Sequence, residues 1–149
     1  MITTKRNIIT YGFINLIIYI ILFFLMRIFN VLHVTGLKMI NYVSFCLIGL
    51  YQIKKIAQDG EMRFSFLKGF SLIFFTGIFS FLLFAIFIFI FSQIDSSLNN
   101  VYFHFAEGDQ QITPFILVFF KGSAASIIIA LIVAIYSEKF SDKKREEKA

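Results

Sequence analysis

The chain has 149 residues, of which 58% are hydrophobic and only 15% charged. A soluble domain carries about 45–50% apolar and about 25% charged residues, so this composition excludes an ordinary soluble fold and calls for lipid to cover the surplus. The net charge of +5 reads as a membrane topology signal rather than affinity for nucleic acid, because acids interleave with the bases of the C-terminal stretch.

Residues 1–7 are polar and include Lys5 and Arg6. The apolar run that follows is too long for the core of a signal peptide, and no small-x-small cleavage site comes after it. It reads as a first transmembrane helix over 8–29, with its N-terminus inside and Arg27 extending towards water at the outer end. A second span over 37–53 is short and more polar, with Asn41, Ser44 and Gln52. A run of this length also fits a re-entrant or interfacial segment, and Lys38 must snorkel outwards for it to cross. Gly49 leaves room for a neighbouring helix. Cys46, the sole cysteine, reads as apolar filler.

Residues 54–63 form a basic inner loop with a turn signal at Asp59-Gly60. The longest apolar run then gives a third span over 66–92. A helix of 24 residues is about 36 Å long at ~1.5 Å per residue, against about 30 Å of hydrocarbon, so the charge-free stretch Gly69 to Ser92 alone suffices. Eleven Phe lie between Phe64 and Phe91 without keeping to one helical face, which predicts that much of this helix meets lipid. Gly69 and Gly77 share a face and mark the packing side. An outer loop follows, with an aromatic segment at 101–105 expected at the headgroup level.

Thr113-Pro114 is a helix start, a capping hydroxyl before Pro at the first helical position, and opens a fourth span over 114–136. Residues 137–149 form a basic cytoplasmic tail. With both termini inside, the inner segments hold Lys5, Arg6, Lys54, Lys55, Arg63, Lys68, Lys139, Lys143, Lys144, Arg145 and Lys148, and the outer side only Arg27, Lys38 and Lys121. That asymmetry is the positive-inside bias. The expectation is an all-α, polytopic membrane protein: a single domain of four transmembrane helices in the cell's inner membrane, with cytoplasmic N- and C-termini.

Gly122, Ser126, Ala130 and Ala134 recur every four residues and form a narrow seam, the usual device for helix association in lipid. The seam serves either packing within the bundle or contact with a second copy or another membrane protein. Lys121 is a candidate intramembrane charge, with Asp95, Glu107 and Asp109 as candidate partners; it either snorkels or pairs structurally, or it belongs to a transport path. His33 and His104 lack metal-ligand spacing, and no nucleotide-binding, zinc-protease or nucleophile motif occurs. The expectation is therefore no enzyme, no cofactor and no metal. The leading functional class is a structural or accessory subunit acting through helix–helix association; the alternative is a small transporter or channel component using Lys121 and the outer-loop acids.

Tyr11-Gly12 opening the first span, the basic loop after the second, Phe64-Ser65-Phe66-Leu67-Lys68-Gly69-Phe70 entering the third and Ile94-Asp95 leaving it form a further pattern. In these the chain resembles a family of small four-helix membrane proteins of unknown function, common in Bacteroidota. Ser96 stands where that family often has Pro. The resemblance implies a fold and a membrane location, with no activity and no catalytic residue.

Overall fold

The structure is a computed structural model that describes residues 2–32, 35–58, 66–95 and 113–146. Among these the elements are α1 (Ile2–Ile28), the single turn α2 (Thr35–Lys38), α3 (Ile40–Gln58), α4 (Phe66–Ile94) and α5 (Thr113–Glu146), with no strand. The four long helices make an all-α bundle. Three of them are long and apolar enough to cross a membrane, over Thr4–Ile28, Phe66–Ile94 and Phe115–Tyr136. The chain is thus an integral membrane protein by its helices. The expected second span is the exception. Its helix begins only at Ile40 and meets Lys54 and Lys55 at the other end, leaving 40–53 as the uncharged stretch. At ~1.5 Å per residue that is about 21 Å, short of the hydrocarbon thickness.

α1 ends in a defined cap. Asn30 takes a positive φ of 53°; Val31 N–H donates to the Met26 carbonyl at 2.9 Å and Asn30 N–H to Arg27 at 3.0 Å. This is the paired hydrogen-bond pattern of a left-handed helix terminus, with Asn in the place Gly usually takes. At the other end of the chain α5 runs unbroken past its apolar part to Glu146, so the charged tail begins as a helical extension.

Ring contacts fix how the helices run. Along α1, Phe13 meets Phe79, Tyr19 meets Phe84 and Phe24 meets Phe91 of α4, so α1 and α4 are parallel. Gly77 faces Ser126 and Phe81 faces Gly122, so α4 and α5 are antiparallel. Gln52 bonds Thr76 while Phe45 reaches Phe81, so α3 also opposes α4.

α4 is the hub. It contacts every other long helix, and its buried face runs Gly69, Leu72, Ile73, Thr76, Gly77, Ser80, Phe81, Phe84, Ala85, Ile88 and Ser92, a stripe repeating every three to four residues. It is the most buried of the three spanning helices, yet only 44% of its spanning window is buried, which leaves much of the helix outside the core as expected. Gly69 and Gly77 do mark the packed side, and small or hydroxylated residues rather than Phe define it. Phe81 is the central knob. Its ring stacks on Tyr19 of α1 at 5.1 Å, meets Phe45 of α3 edge-on at 5.9 Å and fills the gap at Gly122 of α5.

Candidate functional site

Three groups of polar residues stand out against the apolar bundle. The first lies at its centre. Asn15, Gln52, Thr76, Ser80 and Ser126 are fully buried and come from all four long helices. Gln52 Nε2 donates to Thr76 Oγ1 at 3.3 Å, joining α3 to α4. The hydroxyls satisfy their own donors along their helices: Thr76 donates to the Leu72 carbonyl at 2.8 Å, Ser80 to Thr76 at 2.6 Å and Ser126 to Gly122 at 2.8 Å. Such back-bonding is the normal fate of Ser and Thr inside a helix. Asn15 lies one turn from Gly12, which faces Phe79, and one turn from Tyr19, which faces Phe81 and Phe84; it therefore sits at the level of Ser80. Both amide atoms of Asn15 and Oε1 of Gln52 are buried without a hydrogen-bond partner. A buried amide in this state carries its full desolvation cost, about 1–3 kcal/mol.

The second group closes one end of the α1–α4 pair. Arg27 Nη2 meets Asp95 Oδ2 at 2.5 Å, and the guanidinium lies 4.9 Å from the centre of the Phe91 ring. Asp95, expected as a partner for Lys121, thus pairs with Arg27. Glu107 and Asp109, the other expected partners, lie outside the described residues, as do His33 and His104.

The third group is cationic. Lys121 is exposed on α5 beside Phe120, which is 66% exposed. Its neighbour Gly122 faces Phe81, the middle of α4, so Lys121 sits at mid-height on the outside of the bundle. Lys38 lies close enough to feel the Lys121 charge.

The seam residues Gly122, Ser126, Ala130 and Ala134 are all buried within the chain. A Cβ at Gly77 would collide with the Ser126 hydroxyl, and one at Gly122 with the Phe81 ring, so α4 and α5 touch almost backbone to backbone. Beside the seam, Val133 packs near Gly49 of α3. Of the two readings of the seam, packing within the bundle is the one the geometry uses.

Sequence reasoning passed over Asn15, Thr76 and Ser80. Asn15 was the available signal, a lone amide in the middle of an uncharged apolar run. Among the described residues no group of three His, Cys, Asp or Glu comes together, and Cys46 is a free thiol. Comparison with protein-family models, with curated proteins and with solved structures finds no match for this chain.

Proposed function

We propose that this chain is a non-enzymatic accessory or structural subunit of a bacterial inner membrane, with both termini cytoplasmic, that works by associating with another membrane protein. The family of small four-helix membrane proteins that its sequence resembles fits the same location. Lys121 carries the reading. A lysine exposed at mid-height on an apolar helix, beside a second lysine, is costly in lipid unless an acid meets it. A partner helix bearing Asp or Glu supplies that acid. A two-fold contact between copies centred on this face would set lysine against lysine, so a different protein fits better than a second copy. The seam is committed inside the bundle, which leaves the outer face of α3 and α5 for docking.

Native mass spectrometry of the tagged protein in mild detergent tests this. The expected result is a stoichiometric second protein that is lost in Lys121→Met and retained in Lys121→Arg. A bare monomer in the wild type, or a complex indifferent to Lys121→Met, overturns the reading.

The central amides favour a second reading, a small transporter or channel component. Its polar path would run through Asn15, Gln52 and Thr76, with Lys121 outside it. Flux in proteoliposomes that disappears in Asn15→Leu supports that reading; a wild-type chain that passes no small ion or solute removes it.

A further inference from the structure

We infer that the lipid-facing side of α3 fits a bilayer thinner than the one its neighbours span, and that the chain thins the membrane along that side. The register of α3 against α4 carries this. Phe45 reaches Gly77 and Gly49 faces Ile73, and Tyr42, in the first turn of α3, meets the Phe81 ring at 5.9 Å. α3 therefore begins opposite the middle of α4 and runs beside only one half of it. From Phe81 to Ile94, α4 continues for about 20 Å at ~1.5 Å per residue. α1 stays beside α4 over that half, through Phe24 at Phe91 and Arg27 at Asp95.

The outer surface of α3 is apolar and meets lipid. Ile40, Val43, Leu47 and Tyr51 are 41–63% exposed and recur every three to four residues, which is one face of a helix. Lys38 stands before this face, and the exposed Lys54 and Lys55 stand after it. These charges limit the face to about 21 Å of helix, some ~9 Å less than ordinary hydrocarbon. The apolar spans of α1, α4 and α5 hold 22 residues or more and leave no such gap. A bilayer meets a short apolar face by thinning, by snorkelling of the flanking residues or by association. Snorkelling is not enough here, because the four-carbon stem of Lys38 covers only part of the shortfall. Lys121 of α5 is also exposed level with Phe81, the height at which α3 begins. A cation at membrane depth draws in water and thins the bilayer around it. The short face and the exposed lysine thus act in the same direction.

The test uses the full chain in dioleoylphosphatidylcholine vesicles, with a nitroxide on Ile40→Cys or on Ile17→Cys in a Cys46→Ser background. Ile17 is exposed on α1, between Phe13, which meets Phe79, and Tyr19, which meets Phe81. The two labels therefore share one height to within about a helical turn, ~5.4 Å. Collision with a water-soluble nickel chelate reads how near water comes to each. The expected result is a collision rate several-fold higher at Ile40→Cys than at Ile17→Cys. Lys38→Leu, which extends the apolar stretch back to Leu37, should remove at least half of the difference. Equally low rates at the two labels overturn the thinning. A difference that Lys38→Leu leaves unchanged overturns it too, because water then reaches α3 by a route that its apolar length does not set. Circular dichroism and melting follow every variant; if Ile40→Cys fails to fold, Met39→Cys, 56% exposed in the wild type, is read by the same criterion. The purified chain carries no partner, so failure here leaves the association reading standing, and failure of that reading leaves this one.

Discussion

Gly122 of α5 leaves the gap that the Phe81 ring of α4 fills, and a Cβ placed there would overlap the ring. Ser126, one turn on, meets Gly77 in the same way. In lipid, helices gain nothing from hiding apolar surface, so close backbone approach and dispersion contacts hold them. Gly77→Ala should cost about 1–3 kcal/mol, the range for overpacking a tight contact, because Phe45 also lies 2.7 Å from the added carbon. Ser126→Leu should cost more and disturb the α4–α5 pair. Gly49→Ala is the control. Its Cβ would meet Ile73 at 3.4 Å, ordinary contact, so the variant should melt at or above the wild-type temperature. Thermal unfolding in one detergent checks all three, and equal effects for Gly77→Ala and Gly49→Ala would sink the account.

The Arg27–Asp95 pair ties α1 to α4 at their C-terminal ends. Both side chains keep contact with solvent, Arg27 at 40% and Asp95 at 22% exposure, so the ion pair is discounted to about 1 kcal/mol or less. The Phe91 ring adds a cation–π contact of about 0.5–1 kcal/mol at such a site. Arg27→Gln should therefore lose more stability than Asp95→Asn, because only the arginine change removes both contacts. The double variant should be less destabilised than the sum. Full additivity in a double-mutant cycle would show that the pair contributes nothing.

The bundle was legible in the sequence where the physics is local. Long apolar runs announced α1, α4 and α5, Thr113-Pro114 marked where α5 begins, and the four-residue spacing of Gly122, Ser126, Ala130 and Ala134 named the packed face of α5. The buried face of α4 was not legible from its Phe residues. In a soluble helix apolar residues point inwards, but here both lipid and core accept Phe, so apolarity carries no direction. Size and hydroxyls do: Gly69, Thr76, Gly77, Ser80, Ala85 and Ser92 all lie on the buried stripe. The position of Lys121 was not legible either, because its height depends on how Gly122 registers against Phe81, which is a tertiary fact. Asp95 was read as a partner for Lys121 because the turn that brings Arg27 over Phe91 depends on the parallel pairing of α1 and α4.

Asn15 offers a test of whether the central polar layer is structural. Its amide is buried with both polar atoms unpartnered, and replacing such a group by an apolar one of similar branching removes the desolvation cost. Asn15→Leu should leave the bundle about 1 kcal/mol more stable. Gln52→Leu should gain less, because it also breaks the 3.3 Å bond to Thr76. Denaturant titration of the purified chain measures both. A clear loss of stability in Asn15→Leu would mean that something outside the chain bonds the amide, which is the result the transport reading requires.

Lys121 separates stability from function. For the isolated chain, an exposed ammonium at mid-height next to Lys38 carries both like-charge repulsion and the cost of keeping a cation at membrane depth. Lys121→Met removes both, so the purified variant should melt a few degrees above the wild type. The association reading demands the opposite in the cell membrane, where Lys121→Met loses its acidic partner and the complex dissociates. Melting of the isolated protein and co-purification from the membrane should therefore move in contrary directions. A variant that melts lower when purified alone would show that Lys121 is already paired within the chain, and the case for a partner resting on it would fall.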